Sequence, residues 1–162
     1  MASIKQTIFQ IGDERYSLDI MKVIIVEKYI PVEQAAKSPM NMKGIIRLRG
    51  DIIPVYSLRG KFGLEDKEPG PDTRLVIANS NDMKIAYEVD KMQGIATLEP
   101  EQINEVPSIV KCTDTSYLKK VVNIDGRLII QLDPDGILTE EEQKGMKAIM
   151  VSGTSKAAEI LN

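Results

Sequence analysis

The chain has 162 residues, 43% of them hydrophobic, which is enough to bury a core without disulfide or metal support. A formal net charge of -3 provides no basic surplus for nucleic acid or anionic lipid, so composition favours protein partners. A single cysteine and the absence of histidine exclude an intrachain disulfide, the usual zinc sites and the base of most hydrolases. We therefore expect no enzymatic activity, no cofactor and no metal.

Targeting and membrane-spanning segments are not expected. The first ten residues include Lys5, Gln6 and Gln10 and lack the apolar stretch of a signal peptide. No later run approaches the about 20 apolar residues that a spanning helix needs. The lone Cys112 fits a reducing compartment, so the sequence predicts a soluble, cytoplasmic protein without direct membrane insertion.

Alternating apolar and polar residues predict a mostly β chain. The alternation is clear in Tyr16–Ile20, Ile85–Val89 and Leu128–Leu132. Turn-forming residues between such runs predict four hairpins, at Gly12-Asp13, Gly50-Asp51, Ser80-Asn81-Asp82 and Asp125-Gly126. Short strands without strand-helix-strand alternation favour barrels or a sandwich.

We interpret the whole chain, 1–162, as one domain made of two strand-rich parts that share apolar surface, because each part alone would have a marginal core. The charged segment 65–72, which contains proline and glycine, is a candidate connection between them. Thr139 with Glu142 forms a capping-box pattern, which predicts a helix over 139–150 packed on the barrels. Residues 151–162 are predicted to be a flexible tail.

One catalytic motif occurs and is rejected. Ser116 and Lys119 match the Ser-x-x-Lys pattern of penicillin-binding serine enzymes, which requires a helix to place both side chains on one face. Here the pattern enters a predicted strand, where positions three apart point to opposite sides. No catalytic residue is therefore assigned.

The segment 44–62 is the most informative part of the chain. It predicts a strand, a tight reversal at Gly50-Asp51, and a second strand in which Pro54 implies a sheet edge or a bulge. Its cations Arg47, Arg49, Arg59 and Lys61 are consistent with an ordinary solvated face. Together with Arg74 they are also consistent with a small β-barrel that binds RNA or an anionic ligand, which is the alternative function.

Residues 44–62 read Gly-x-x-x-Leu-Arg-Gly-x-x-Ile-Pro-Val-x-x-Leu-Arg-x-x-Phe. This pattern resembles the signature of chemotaxis coupling proteins, the CheW family, and of the kinase domain that shares their fold. Val89-Asp90 after a hairpin and Tyr117-Leu118 before the last one support the resemblance, which covers about residues 4–150.

The resemblance implies two side-by-side five-stranded SH3-like β-barrels with a short C-terminal helix. It further implies a non-catalytic adaptor in signal transduction. Its partners would be the cytoplasmic tip of chemoreceptors and the regulatory domain of the histidine kinase CheA, in membrane-associated receptor arrays, with no role for nucleic acid.

The resemblance also implies partner-binding residues. A receptor-facing groove would contain Val23, Ile25, Val89, Met92 and Ile95, although Val23 and Val89 fit a buried core equally well. Gly44 and Arg49 occupy positions associated with partner binding, and Arg59 belongs to the same signature. The chain departs from the family pattern at four positions, namely Ile25, Ser57, Ala86 and Lys120.

Overall fold

The computed structural model describes residues 4–34, 41–99, 103–105, 118–124 and 126–148. The strands are β1 Ile4–Ile11, β2 Glu14–Asp19, β3 Val23–Lys28, β4 Met42–Leu48, β5 Asp51–Ser57, β6 Arg74–Ser80, β7 Met83–Val89, β8 Lys91–Leu98, β9 Ile103–Glu105, β10 Leu118–Ile124 and β11 Arg127–Leu132. The helices are a 3₁₀ turn at Ile20–Lys22, α1 Leu58–Lys61, α2 Pro134–Ile137 and α3 over 140–148.

The strands form two sheets, each of which we call a barrel. The first barrel has the strand order β8-β1-β2-β11-β10-β9, and the second has the order β3-β6-β7-β5-β4. The chain enters the second barrel after β2 and returns to the first at β8. The mostly β fold with two barrels is confirmed, and the three-residue edge strand β9 brings the first sheet to six strands.

Three apolar clusters explain why these sheets curl and pack. The second barrel encloses six buried residues that include Ile46 and Ile77, and the first encloses a smaller cluster around Ile8 and Leu98. A larger cluster lies between the barrels and takes buried side chains from both; we call it the junction core. The expected sharing of apolar surface is therefore observed, and it joins the two barrels into one unit.

The four predicted hairpins are present, but one turn is shifted by a residue. Leu48 pairs with Asp51, so the β4–β5 turn is formed by Arg49 and Gly50, with φ values of +51° and +88°. The sequence had placed the reversal at Gly50-Asp51. A two-residue turn with positive φ at both positions matches the twist of its strands, and Asp51 is instead the first residue of the β5 ladder.

Pro54 does not lie in an edge strand, but the sequence had left a bulge open as well, and the β4–β5 register shifts beside Pro54, between Met42 and Gly44. Pro54 lies in β5, which pairs with β4 on one side and with β7 on the other. Its partner Ile45 exchanges both backbone hydrogen bonds with Glu33, at 2.8 Å each, so Ile45 and Pro54 are a non-hydrogen-bonded pair. The proline nitrogen therefore points towards β7, whose pairing with β5 starts only at Val55.

The boundary between the two strand-rich parts is not at 65–72. This exposed segment links α1 to β6, and the flanking strands β5 and β6 both belong to the second barrel. The chain crosses between barrels at Ile20–Lys22 and at Asp90, by short connections. The composition of 65–72 thus reflects exposure to solvent rather than a domain boundary.

The C-terminal helix begins at the predicted position. Thr139 Oγ1 accepts a hydrogen bond from the Glu142 backbone N–H at 3.1 Å, and Glu142 Oε1 accepts one from the Thr139 backbone N–H at 3.0 Å. This is the capping box, and Met146 of α3 is buried in the junction core. Residues 149–150 and the predicted tail 151–162 lie outside the described residues, as do Cys112 and Ser116. Within the described ranges, no helix has the length and apolar content needed to cross a membrane.

Candidate functional site

A bulge in β8 places Met92 and Ile95 on the same face. Thr7 pairs with Ile95 and Phe9 pairs with Met92, with a register shift between Ile8 and Phe9. Because Thr7 and Phe9 are two residues apart on β1, they share a face, and their partners share it too. Without the bulge, residues three apart would point to opposite sides. Both side chains therefore lie on the outer face of the first barrel, which meets the junction core through Phe9 and Met92.

A bulge in β3 places Val23 and Ile25 on opposite faces of the strand. Val23 pairs with Ala78, which belongs to the junction core, whereas Ile25 pairs with Ile77 of the second barrel's own core. Ile25 accordingly packs inside the second barrel and does not lie beside Val23. The family resemblance implied one groove for both residues, and a regular strand would have allowed it, because i and i+2 then share a face.

Val26 takes the outward position that had been assigned to Ile25. It pairs with Val76, a junction-core residue, so it lies on the same outer face as Val23. Its exposed fraction is 38%, and it was not among the residues predicted from the sequence. The signal that could have identified it is the register shift in β3, which depends on pairing with β6 and is not visible in β3 alone.

We call the exposed aliphatic rim of the junction core the seam. It consists of Val23 and Val26 from the second barrel and Met92 and Ile95 from the first. Val23 and Met92 are half-buried against the junction core, and Ile95 is 64% exposed. The seam carries no titratable group, so its chemistry is the burial of apolar area against another surface.

Two predicted site residues are buried and contribute to packing. Val89 is fully buried in the junction core, which settles its role in favour of the core. Gly44 is buried in β4, where an added Cβ would overlap the backbone carbonyl oxygen of Glu33 and lie 2.8 Å from Val32 Cγ1. Neither residue offers a side chain to a partner, and Gly44 is required because the chain before β4 passes so closely.

Arg49 has an exposed side chain, unlike the other charged residue of the signature, Arg59. Its side chain is 74% exposed at the tip of the β4–β5 hairpin, and its Nη2 lies 3.7 Å from Glu27 Oε1. This contact joins the tip to β3, which helps to close the second barrel. Because an exposed ion pair contributes only about 0 to 1 kcal/mol, Arg49 is available to a partner at little cost to the fold.

Arg59, in contrast, is half-buried and engaged. Its Nε donates to Asp90 Oδ1 at 3.0 Å and its Nη2 to Asp90 Oδ2 at 2.6 Å, as a bidentate pair. Asp90 Oδ2 also accepts from the Gly12 backbone N–H at 2.8 Å. Burial alone would raise the pKa of Asp90, but the hydrogen bonds from Arg59 and Gly12 outweigh it and lower that pKa. Asp90 is therefore the ion-pair partner of Arg59, a role that the sequence alone did not predict.

Comparison with known proteins decides the family. A family model described as CheW-like domain matches residues 6–142. The chain belongs to the CheW-like family. The chemotaxis protein CheW of Klebsiella aerogenes is 31% identical over 135 residues, which cover 83% of this chain and 81% of that protein. The CheW of Thermotoga maritima is 30% identical over 132 residues, which cover 82% and 85%.

The comparison with solved structures agrees. The crystal structure of the scaffolding protein TtCheW from Thermoanaerobacter tengcongensis matches with a TM-score of 0.79 and 26% identity, covering 87% of this chain and 96% of that chain. The CheW-like match ends at residue 142, inside α3 and at the Glu142 that completes its capping box. The two SH3-like barrels are thus the architecture of the family.

The CheW-like fold does not gather the cations into the basic face considered as an alternative. Four of the five lie against carboxylates, in the pairs Arg47–Glu33, Arg49–Glu27, Arg59–Asp90 and Lys61–Glu142. The fifth, Arg74, donates from Nη1 to the carbonyl oxygens of Pro71 and Thr73, at 2.8 and 2.9 Å. Local charge is largely balanced, so the structure does not support a surface for RNA or another polyanion.

One departure from the CheW-like signature keeps its local function. Ser57 precedes α1, and its Oγ accepts a hydrogen bond from the Gly60 backbone N–H at 3.1 Å. Serine and aspartate are both preferred at the helix N-cap, so the exchange preserves the cap. Ala86 is fully buried in the core of the second barrel, where its methyl group adds packing.

Proposed function

We propose that this chain is a non-catalytic chemotaxis adaptor that couples chemoreceptors to the histidine kinase CheA within a receptor array. Membership of the CheW-like family supports the chemotaxis role, and the scaffolding title of the solved relative supports the adaptor role. The observation that carries the proposal is the seam, in which Val23 of one barrel and Met92 of the other pack against the same core, with the exposed Val26 and Ile95 on the same faces.

The seam fits the apolar face of a helix. An amphipathic helix presents anchors at positions i, i+3, i+4 and i+7, and a groove of aliphatic side chains can bury them without paired charges. The cytoplasmic tip of a chemoreceptor supplies such helices. Val23 and Met92 would form the floor of this contact, and Val26 and Ile95 its sides.

The kinase would bind elsewhere on the chain. The β4–β5 hairpin, with Arg49 at its tip, belongs to the second barrel, and β4 is the last strand of that sheet, with a bridge from Glu33 to Ile45 on its outer side. The regulatory domain of CheA would dock against this edge through its own related barrels. Each contact is expected to be weak and near or below the standard interface size of about 1,600 Å², with stability supplied by many linked contacts.

Three groups with shifted pKa values, Tyr56, Tyr87 and Asp90, are unsuited to proton transfer near neutral pH. Burial raises the pKa of Tyr56 and of Tyr87 well above the ordinary 10.0, so both phenols stay protonated. The Asp90 carboxyl has a lowered pKa and stays ionised at neutral pH. None of these groups can exchange a proton near neutral pH, as a general acid or base must.

The test is a charge placed in the seam. Ile95→Glu puts a carboxylate on a 64% exposed position, so the fold should tolerate it while binding to a receptor cytoplasmic fragment weakens at least about tenfold. Leu128→Glu is the matched control, because Leu128 is 61% exposed on β11, separated from β8 by β1 and β2. Affinities are measured by isothermal titration calorimetry. Unchanged receptor binding by the Ile95 variant would contradict the proposal.

A further inference from the structure

The short segment that follows β5 docks onto the opposite barrel. Arg59 of α1 pairs with Asp90, which also accepts a hydrogen bond from Gly12 in the β1–β2 turn. Phe62 stacks on Tyr16 of β2, with ring centroids 4.6 Å apart. These contacts join the second barrel, which carries α1, to the first barrel, which carries β1 and β2.

The ion pair at the centre of this contact is held by hydrogen bonds on both sides. All three guanidinium nitrogens of Arg59 are used, because Nη1 donates to the Glu65 carbonyl at 2.9 Å while Nε and Nη2 bind Asp90. The Asp90 backbone N–H donates to the Gln10 carbonyl at 3.1 Å. A planar, bidentate pair fixes orientation as well as distance, which a lysine could not do.

Asp90 occupies the point where the chain passes from one barrel to the other. It follows Val89, which is buried in the junction core, and it precedes β8. Met92 of the seam lies only two residues further along β8. A rotation of the backbone at Asp90 would therefore move Met92 and Ile95 relative to Val23 and change the width of the seam.

We infer that Arg59 is a positioning residue: its ion pair with Asp90 fixes the relative placement of the two barrels and so sets the seam to the width that a partner helix requires. The inference rests on the proposed function for the identity of the partner, but the placement of the barrels can be measured without one. Arg59 then acts on binding through geometry rather than by touching the partner.

The experiment measures the distance between the barrels directly. With Cys112→Ser to remove the single native thiol, cysteines at exposed Lys5 on β1 and Asn79 on β6 carry spin labels for double electron-electron resonance. Arg59→Gln is compared with Lys43→Gln. Lys43 pairs with Glu88 at 2.7 Å and is similarly half-buried, but both of these residues belong to the second barrel.

We expect Arg59→Gln to broaden or shift the distance distribution and Lys43→Gln to leave it unchanged, even where both lower the unfolding temperature. If only about a tenth of the Arg59→Gln molecules keep the two barrels in the arrangement that binds a receptor fragment, the affinity of the unlabelled variant for that fragment falls about tenfold. Arg59→Lys keeps the positive charge but cannot form the bidentate pair with Asp90. Its distance distribution and its affinity should therefore lie between those of the wild type and of Arg59→Gln.

Identical distributions for Arg59→Gln and the wild type would overturn the inference and leave Arg59 as an ordinary stabilising residue. If Arg59→Gln does not fold, the nearly isosteric Asp90→Asn replaces it, with the same two outcomes. Failure of the proposed function would be recognised by a different result. The Ile95→Glu variant would then still bind the receptor fragment, whether or not Arg59→Gln changes the distance distribution.

Discussion

At the scale of single residues, Gly44 and Arg49 show two different reasons for a position in the signature to matter. Gly44 is buried against the backbone of Glu33 and has no room for a side chain. Arg49 is exposed and has a positive φ of +51°, a conformation that a two-residue hairpin turn imposes. The first residue is required by the packing of the barrel, and the second is exposed and is the one that we propose for partner binding.

Gly44→Ala is expected to destabilise the protein by more than about 2 kcal/mol, because the added methyl group overlaps a backbone oxygen that cannot move freely. Gly50→Ala is the control. Its φ of +88° is unfavourable for alanine, but no atom lies within 4 Å of the added Cβ, so only a backbone cost of about 1 kcal/mol is expected. Urea denaturation measures both, and equal losses would show that the close approach is unimportant.

Arg49→Glu should leave the thermal unfolding midpoint nearly unchanged, because the side chain is exposed and its contact with Glu27 is long, at 3.7 Å. It should abolish receptor-dependent activation of CheA in a reconstituted mixture. Arg47→Glu is the control, since Arg47 is exposed on the same hairpin and pairs with Glu33 at 3.4 Å. Full activation by the Arg49 variant would remove this residue from the proposed interface.

At the scale of elements, two bulges and one helix cap decide what the surface presents. The bulge in β8 turns Met92 and Ile95 to one side, and the bulge in β3 separates Val23 from Ile25. α3 begins at a capping box whose Glu142 Oε1 also accepts a hydrogen bond from the Tyr56 hydroxyl at 3.1 Å. The cap therefore ties the helix to β5 as well as starting it.

Thr139→Ala is expected to cost about 1 kcal/mol, because it leaves the Glu142 backbone N–H without its capping oxygen. Hydrogen exchange of the amides in 140–148 should accelerate more than that of β6 and β7. Thr97→Ala, at an exposed threonine of β8 outside any cap, should stay within about 0.5 kcal/mol. Unaltered exchange in α3 would mean that the cap contributes nothing.

At the scale of the whole molecule, the junction core couples the barrels, and the Arg59–Asp90 pair lies at its border. Buried side chains from both barrels and from α3 meet in one cluster, so separating the barrels would expose that surface to water. We therefore regard the protein as one cooperative unit whose two halves cannot open independently without large cost.

Acid should lower the free energy of unfolding of the protein, because it protonates Asp90. Because the folded-state pKa of Asp90 is lowered from 3.8, its contribution to stability is complete above that value and is lost as pH falls through the lower folded pKa. The free energy of unfolding of the wild type should therefore exceed that of Asp90→Asn at pH 6, and the difference should shrink below about pH 4. Urea denaturation across this range tests it, and a difference independent of pH would exclude the linkage.

Much of the fold could be predicted from local pattern. The hairpins around Gly12-Asp13 and Asn81-Asp82 and the start of α3 depend on residues close together in the chain, and they were predicted correctly. Of the two possibilities left open for Pro54, the edge is excluded and the bulge agrees with the register shift in β4–β5, whereas the segment 65–72 connects strands of one barrel rather than two. Both depend on which strands pair, and pairing joins residues far apart in sequence.

The candidate site also contains residues that could be named from the sequence and residues that could not. The resemblance to the chemotaxis coupling proteins named Val23, Met92, Ile95 and Arg49 as partner-binding residues, and their part in binding stays a prediction. Only the tertiary structure replaced Ile25 by Val26, buried Val89, and gave Asp90 a role beside Arg59. The physical reason is that the amino-acid sequence sets which residues avoid water, whereas register shifts and contacts between barrels set which of them remain on the surface.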